Sequence, residues 1–249
     1  MSRSRASHLL VASAFDVRRS ALVPSLRPPL PVAPTLKRLG VAIRSMELPA
    51  IEKIAEESMG DAFQVLISTM LSAQTKDAVT LAASLRLFAV APDAAALARL
   101  TTARIEKLIY PVSFYRNKAA HLKETARILV RDFAGQVPTT MDTLLTLPGV
   151  GRKTANLTLI VAGRSRDNIC VDTHVHRISN RFGWVRTRMP EQTERALYGI
   201  APRNWWSTIN LHLVTWGQHV CKPVFPLCGR CILNDTCPKI GVVREGRVA

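Results

Sequence analysis

The chain of 249 residues is strongly basic. It contains 34 lysine and arginine residues against 18 aspartate and glutamate residues, which gives a net charge of +16 and a pI of about 10.5. Hydrophobic residues make up 47 %, which excludes a mainly disordered chain. No run approaches the roughly eighteen apolar residues of a membrane-spanning helix. The excess charge predicts a polyanionic partner, nucleic acid first, although basic charge alone also fits an anionic membrane surface or simple solubility.

The N-terminal segment 1–46 differs from the rest of the chain. It holds eight basic residues and a single acidic residue, and five of its prolines lie between Pro24 and Pro34. Proline removes backbone donors and blocks helices, so we expect a flexible basic extension. Three interpretations stay open: a DNA-binding tail held by counterion release, an organelle transit peptide, or a misassigned start codon with Met46 as the true first residue. A secretory signal does not fit.

The region from Glu47 onwards has the apolar spacing of helices. Residues 63–71 repeat apolar positions every three or four residues, and residues 81–88 continue a similar pattern. Residues 97–109 predict two short helices with Thr101 or Thr102 as the N-cap between them. Residues 118–133 predict an amphipathic helix that ends at Gly135. Strand-like alternation is nearly absent, so the sequence predicts an all-α fold.

A second pair of helices is separated by a short glycine-rich turn. A helix in 139–146 is followed by Leu147-Pro148-Gly149-Val150-Gly151 and by a helix in 152–162. Proline fixes one backbone angle, and glycines permit positive φ or a close backbone approach. The exposed amides of such a hairpin, together with the N-terminus of the second helix, form an anion site that suits a DNA phosphate. We therefore expect DNA contacts at four of its residues: Leu147, Gly149, Gly151 and Arg152.

Five cysteines are too few for a disulfide scaffold in a chain of this length. Four of them follow the spacing Cys221-x6-Cys228-x2-Cys231-x5-Cys237, which predicts a metal centre in a reducing compartment. Four thiolates suit either a structural zinc or an iron–sulfur cluster. The remaining residue, Cys170, lies between Ile169 and Val171, and we expect it to be a small buried core residue.

Several of these motifs together resemble one family. The run Leu147–Ala155 is similar to the helix-hairpin-helix of DNA repair glycosylases, and Val171-Asp172-Thr173-His174 lies where that family places its catalytic aspartate, nineteen residues after Lys153. Leu71-Ser72-Ala73-Gln74-Thr75 resembles a loop that fills the gap left by an extruded base. With the cysteine spacing, the match spans roughly 48–240 and identifies a member of the endonuclease III family.

This resemblance implies a two-lobed helical protein with a cleft between the lobes. One lobe, 56–164, would contain the hairpin. The other would combine 47–55 with 165–245 and hold the cysteine loop. The six–two–five cysteine spacing resembles the loop that binds a [4Fe–4S] cluster in this family, and the closed loop would present Lys222 to phosphates.

Lys153 is expected to be the nucleophile. An amine attacks carbon only when it is deprotonated, and a place in the first turn of a helix beside Arg152 disfavours a second positive charge. From spacing alone, a phosphate-binding lysine is an equally good interpretation. The resemblance favours catalysis, and lysine at this position implies an enzyme that also cuts the strand.

Asp172 is either the N-cap of the helix that follows it or a catalytic carboxylate. The resemblance implies that it faces Lys153 across the cleft, and both roles are compatible because capping orients the carboxylate. His174 is expected to serve in polar packing or in a phosphate contact rather than as a proton shuttle. By the same resemblance, Gln74 fills the gap in one strand and Phe114 is an apolar wedge in the other, although Phe114 also suits an ordinary core position.

These residues predict a bifunctional enzyme that acts as a monomer on double-stranded DNA with damaged bases or abasic sites. It would remove oxidised pyrimidines and cut 3′ to the lesion by β-elimination. The rivals are a monofunctional mismatch glycosylase and a non-catalytic hairpin module that only binds DNA. Its location would be the nucleoid in a prokaryote, or the nucleus or mitochondrion if residues 1–46 are a transit peptide.

Overall fold

Twelve α-helices and three short 3₁₀ turns make up the regular structure of residues 27–247, which are the residues that the computed structural model describes. The helices are α1 Val32–Ala42, α2 Ala50–Glu57, α3 Ala62–Ser72, α4 Asp77–Phe88, α5 Ala94–Arg99, α6 Thr102–Ile109, α7 Tyr115–Phe133, α8 Met141–Leu145, α9 Arg152–Val161, α10 Thr173–Arg181, α11 Pro190–Ile200 and α12 Ile209–His219. No β-strand occurs within this range, and the predicted all-α class is confirmed. None of these helices is long and apolar enough to cross a membrane.

Short polar side chains fix where many of the helices begin. The N-cap side chain accepts a hydrogen bond from a first-turn amide in five of them, which satisfies a donor that the helix itself leaves free. The five caps are Asp61, Asp93, Thr101, Thr140 and Asp172. The predicted break between α5 and α6 is confirmed, with Thr101 as the cap.

The buried side chains form two large clusters, one for each lobe. The first cluster is built from α2 to α9. The second joins α1 to α10, α11, α12 and the cysteine loop. A third, small cluster of Ile51, Val65, Leu157 and Cys170 lies between them and ties α2, α3 and α9 to the strand-like segment before α10. Cys170 is fully buried, as the sequence predicts.

The prediction of a flexible extension through residue 46 is wrong for its last part. Residues 32–42 form α1, and Leu36, Leu39 and Ile43 share one face that is buried in the second cluster. Pro31 takes the N-cap position and Pro34 falls in the first turn, where a missing N–H costs nothing. Residues 1–26 lie outside the described residues.

The boundary between the lobes also differs from the prediction. Residues 47–55 were expected in the lobe with the cysteine loop, but α2 packs against α3 and α4 and its Ile54 belongs to the first cluster. The amide of Ala50 donates a hydrogen bond of 2.9 Å to Asp77 Oδ2 at the start of α4, which fixes the start of α2 on that side.

Candidate active site

The turn between α8 and α9 packs against α7 on one side, and its last residue, Gly151, has open space beside it. Gly149 adopts φ +76°, and a Cβ there would lie 2.8 Å from His121 Nδ1. The hydroxyl of Thr125 donates a hydrogen bond of 3.0 Å to the carbonyl of Pro148. Gly151 has no side-chain cap, and a Cβ there would meet nothing within 4 Å. Since nothing lies within 4 Å of the position of that Cβ, the space before the first-turn amides of α9 is open to an anion.

Two predicted DNA contacts in this hairpin have other partners. Leu147 is buried in the first cluster, so its side chain packs in the core and does not reach the surface. The guanidinium of Arg152 forms an ion pair with the buried carboxylate of Glu194, with a shortest distance of 2.6 Å from Nη2 to Oε1. Glu194 also raises the pKa of Arg152, chiefly through this hydrogen bond. Arg152 thus joins α9 to α11. A phosphate contact from Arg152, which remains a prediction, would be made while its guanidinium is paired with Glu194.

A cleft of about 600 Å³ lies between the lobes and contains four of the predicted site residues. Gln74 comes from the end of α3, and Lys153 comes from the first turn of α9. Asp172 and His174 come from the start of α10. The sequence prediction that Lys153 and Asp172 face a common groove therefore agrees with the geometry.

Lys153 and Asp172 are positioned in different ways. The amine of Lys153 donates no hydrogen bond to any residue of the described part of the chain, so it is free to meet a ligand. Asp172 is held as an N-cap: its Oδ1 accepts hydrogen bonds of 2.9 Å from the amides of His174 and Val175. The cap and the cleft-lining role occur together, because both cap bonds go to Oδ1 and Oδ2 accepts no hydrogen bond from the described residues.

Glu52 is a residue of the same cleft that sequence reasoning missed. It lies in the first turn of α2, and its Oε2 is buried and accepts no hydrogen bond from residues 27–247. Burial raises the pKa of Glu52 to about 7, while Lys153 opposes this rise and Asp77 and Glu56 add to it. In sequence, Glu52 is one of several acids in an amphipathic helix, and only the fold brings it near Lys153.

Glu52→Gln should stabilise the protein at neutral and higher pH. The pKa of Glu52 rises from 4.5 to about 7 on folding. As the pH increases from 4.5 to 7, the unfolded chain loses this proton while the folded protein retains it, so the free energy of unfolding of the wild type decreases over that range. The difference of roughly 2.5 pKa units corresponds to up to about 3 kcal/mol in favour of the variant above pH 7. Urea unfolding of both proteins at pH 4.5 and pH 8 measures it, and an equal stability difference at both values would contradict the expectation.

Gln74 and Phe114 lie on two adjacent turns with unusual backbone conformations. Both residues have left-handed φ angles, +56° for Gln74 and +57° for Phe114, which non-glycine residues rarely adopt. The amide of Ser113 donates a hydrogen bond of 3.2 Å to Thr75 Oγ1, which joins the two turns. The Phe114 side chain is 62 % exposed, so the core alternative for this residue does not hold.

Lys118 fastens the turn that carries Gln74. Its amine donates hydrogen bonds to the carbonyls of Leu71 and Ala73, at 2.7 and 2.6 Å, and to Thr75 Oγ1 at 3.3 Å. Burial lowers the pKa of Lys118 to about 8, with a smaller contribution from the charge of Lys153. These bonds satisfy carbonyls that the end of α3 leaves free.

Lys118→Met should therefore loosen both turns without disturbing the rest of the fold. Losing bonds worth about 1–3 kcal/mol should speed hydrogen exchange of the Thr75 and Ser113 amides by about 10- to 100-fold. Exchange read by NMR or mass spectrometry checks this. Lys118→Arg, which keeps a charged donor, should change these exchange rates much less. Unaltered exchange in the methionine variant would show that the two turns are stable without the Lys118 hydrogen bonds.

His174 is fitted closely against α12. A Cβ on Gly217 would lie 2.4 Å from His174 Nδ1, so only glycine leaves room for this ring. Burial lowers the pKa of His174 despite the opposing charge of Asp172, which favours a neutral ring. Arg177 Nη2 lies 3.3 Å from His174 Nδ1 and donates a bond of 2.9 Å to the carbonyl of Cys221. This packing agrees with the expected polar role of His174.

The four clustered cysteines line one cavity together with Arg181. All four are free thiols. Among residues 27–247, no three histidine, cysteine or acidic side chains converge closely enough to hold a single metal ion.

Several donors point at these sulfurs. The amides of Leu233 and Lys239 each lie 3.4 Å from a cysteine sulfur, and Arg181 Nη1 lies 3.4 Å from Cys221 Sγ. Burial raises the pKa of Cys228 and of Cys237 to about 11. Thiols of this kind ionise when a bound cation supplies positive charge, and N–H donors then stabilise the thiolates. The donor set therefore fits a metal centre.

Lys222 follows the first of these cysteines and is exposed. Its carbonyl accepts a hydrogen bond of 2.6 Å from Arg181, which also donates one of 2.6 Å to the carbonyl of Pro223. The buried guanidinium of Arg181 thus holds the backbone of the loop, and the Lys222 side chain lies at the surface, where the predicted phosphate contact remains a prediction.

The hairpin, the cleft and the cysteine loop define a class of proteins. Residues 67–203, a little over half of the chain, match the HhH-GPD superfamily of base excision DNA repair proteins. Endonuclease III of Thermotoga maritima is 48 % identical over 71 % of this chain and 83 % of its own length. Endonuclease III-like protein 1 of Gallus gallus is 47 % identical over 71 % of this chain, which spans 63 % of that relative. The chain therefore belongs to the endonuclease III family.

Solved structures of that family have the same fold. An endonuclease III in a non-covalent complex with DNA superposes with a TM-score of 0.73 at 31 % identity, covering 82 % of this chain and 92 % of the other. An endonuclease III trapped as a covalent intermediate with DNA gives 0.71 at 30 % identity, covering 81 % and 92 %. The family resemblance predicted from the motifs is confirmed.

Proposed function

We propose that this protein is a bifunctional DNA glycosylase and abasic-site lyase of base excision repair that removes oxidised pyrimidines. The observation that carries the proposal is the amine of Lys153, which has no hydrogen-bond partner among residues 27–247 and lies in the same interlobe cleft as Asp172. Membership of the endonuclease III family supports it, since one such protein has been trapped in a covalent complex with DNA.

The chemistry follows from these two groups. The deprotonated amine of Lys153 attacks C1′ of the damaged nucleotide, and the base leaves with the electron pair of the glycosidic bond. Asp172 stabilises the positive charge that develops on the sugar. The resulting Schiff base between Lys153 and the sugar acidifies the neighbouring carbon, and β-elimination then cuts the strand on the 3′ side.

The target nucleotide has to leave the duplex before Lys153 can reach it. Base extrusion costs a few kcal/mol, and less for a damaged pair. Gln74 and Phe114, on the two joined turns, fill the gap from opposite strands. An exposed phenylalanine on a left-handed turn suits an apolar wedge, which partly offsets the lost stacking.

The hairpin and the basic surface bind the backbone. The amides before α9, at Gly149 and Gly151, donate hydrogen bonds to one phosphate, and Lys222 contacts another from the cysteine loop. A net charge of +16 predicts affinity that falls steeply with salt. The protein works as a monomer in a compartment that contains DNA.

The cysteine loop holds a [4Fe–4S] cluster through Cys221, Cys228, Cys231 and Cys237. Four thiols around a cavity, with N–H donors aimed at three of the sulfurs, support this choice. When bound, the cluster supplies a structural crosslink. Protein purified without oxygen should be brown and contain about four iron atoms per chain. A colourless protein that contains one zinc ion per chain would show that the loop binds zinc instead of a cluster.

The function is tested with duplexes that each contain one modified base. We expect base release and nicking at thymine glycol and 5-hydroxycytosine, and nicking at a plain abasic site. Base release without nicking would indicate a monofunctional glycosylase. Tight binding with neither reaction would indicate a DNA-binding module.

A further inference from the structure

The cleft contains a second carboxyl group that neither the hairpin nor the aspartate motif explains. Glu52 comes from α2, and its side chain lines the same cleft as Lys153 and Asp172. Its Oε2 is shielded from solvent and accepts no hydrogen bond within the described residues. A buried carboxyl oxygen without a partner is costly to keep, and such groups concentrate at functional sites.

Three charged groups act most strongly on the pKa of Glu52. Lys153 is positive, and Asp77 at the start of α4 and Glu56 one turn along α2 are negative. The charge of Glu52 also acts on the buried thiol of Cys170. Asp77 is already engaged, because its Oδ2 accepts hydrogen bonds from the Ala50 amide and, at 3.0 Å, from Gln218 Nε2. Of these acids, Glu52 is therefore the one with an uncommitted buried oxygen and an electrostatic link to Lys153.

Asp172 is less suited to moving a proton. One of its oxygens accepts two backbone N–H bonds, and these bonds are strongest to an ionised carboxylate. Glu52 has no such bonds, and its burial favours the neutral acid, which places its proton exchange near neutral pH. The two carboxyl groups of this cleft therefore have different surroundings. The hydrogen-bonded Asp172 suits a fixed charge, and Glu52, whose Oε2 has no partner in the described part of the chain, suits a group that carries a proton.

We propose that Glu52 is the general base and acid of this site, which accepts the proton of the Lys153 ammonium and returns it to the departing base. The ammonium of Lys153 and the carboxylate of Glu52 become an amine and a carboxylic acid. The amine forms its bond to C1′ as the glycosidic bond breaks, and the electron pair goes to the base. The base takes the proton of Glu52, which restores the carboxylate. This role rests on the proposed function.

Single-turnover borohydride trapping on an abasic duplex, measured from pH 5.5 to 9, tests the first proton transfer. Wild-type trapping should rise with pH through a step near 7. Glu52→Gln should remove that step and slow trapping at pH 7.5 by about 100-fold or more, the usual range for a lost general base. Its affinity for a duplex with a stable abasic analogue should be unchanged. Glu52→Asp should keep the step at a reduced rate.

The matched control is Glu57→Gln, which removes an exposed charge from the same helix and should behave as wild type. A structural role for Glu52 would lower the trapping rate equally at every pH and keep the step, and this overturns the proposal. So does a wild-type profile without a step between pH 6 and 8, whatever the variants do. If the wild-type protein never traps, the proposed function itself fails; trapping that is equal in wild type and Glu52→Gln rejects only this inference.

Discussion

Lys153→Ala should abolish the covalent complex that borohydride traps between this protein and an abasic duplex. In the proposed mechanism the Lys153 amine forms the Schiff base, so its removal leaves no group that could be reduced onto the sugar. We expect strand cleavage to fall by at least about 10³-fold. The measurement is a gel assay of trapped complex and nicked product under single-turnover conditions.

Lys153→Arg separates chemistry from binding. It keeps a positive charge at the mouth of the hairpin but cannot act as a nucleophile at neutral pH. Its affinity for the duplex should stay within a few fold of wild type, while trapping is lost as completely as in the alanine variant. Trapped complex at the wild-type level in both variants would mean that another amine carries the reaction.

Leu39→Ala should produce the largest loss of stability among the substitutions considered. Leu39 has no exposed surface, and α1 packs against α12 in the second cluster. Truncating a fully buried leucine costs about 2–5 kcal/mol, because transfer energy is lost and a cavity remains. Urea unfolding followed by circular dichroism measures the change.

Val41→Ala is the matched control for this helix, since Val41 is 60 % exposed two residues further along. Its effect should stay within about 0.5 kcal/mol. Equal, small effects of both substitutions would show that α1 contributes little to the folded core. A chain that began at Met46 would lack this buried face entirely.

Local chemistry explains why the hairpin could be predicted from sequence. Proline fixes one backbone angle and glycine permits positive φ, so the residues of Leu147–Gly151 favour this turn by themselves. The caps at Thr101 and Asp172 likewise act on the adjacent turn of helix. The cysteine spacing is equally local. These motifs also carry the family resemblance, which is why Lys153 and Asp172 could be chosen before any fold was available.

Long-range packing decided the features that were missed or misplaced. The prolines before α1 indicated an extended arm, yet Leu36 and Leu39 find a complementary surface far along the chain. In α4, the apolar pattern included Leu85, which is exposed, while Thr80 and Ser84 are buried instead. Neither Glu52 nor Lys118 belongs to a motif, because each acquires its partners only when distant segments pack together.

The segment that carries Lys153, the proposed nucleophile, is held by contacts on both sides of its first turn. Arg152 is clamped to α11 through Glu194, and the thiol of Cys170 points at the carbonyl of Lys153, 3.6 Å away. The backbone that carries the Lys153 amine is therefore anchored between the two lobes, and a hinge opening between them would have to break the partly buried ion pair of Arg152 and Glu194. The DNA, rather than the protein, would therefore have to deform for a base to enter the cleft. Lesions that weaken stacking or pairing would then be extruded faster, before any contact with the base itself contributes to selection.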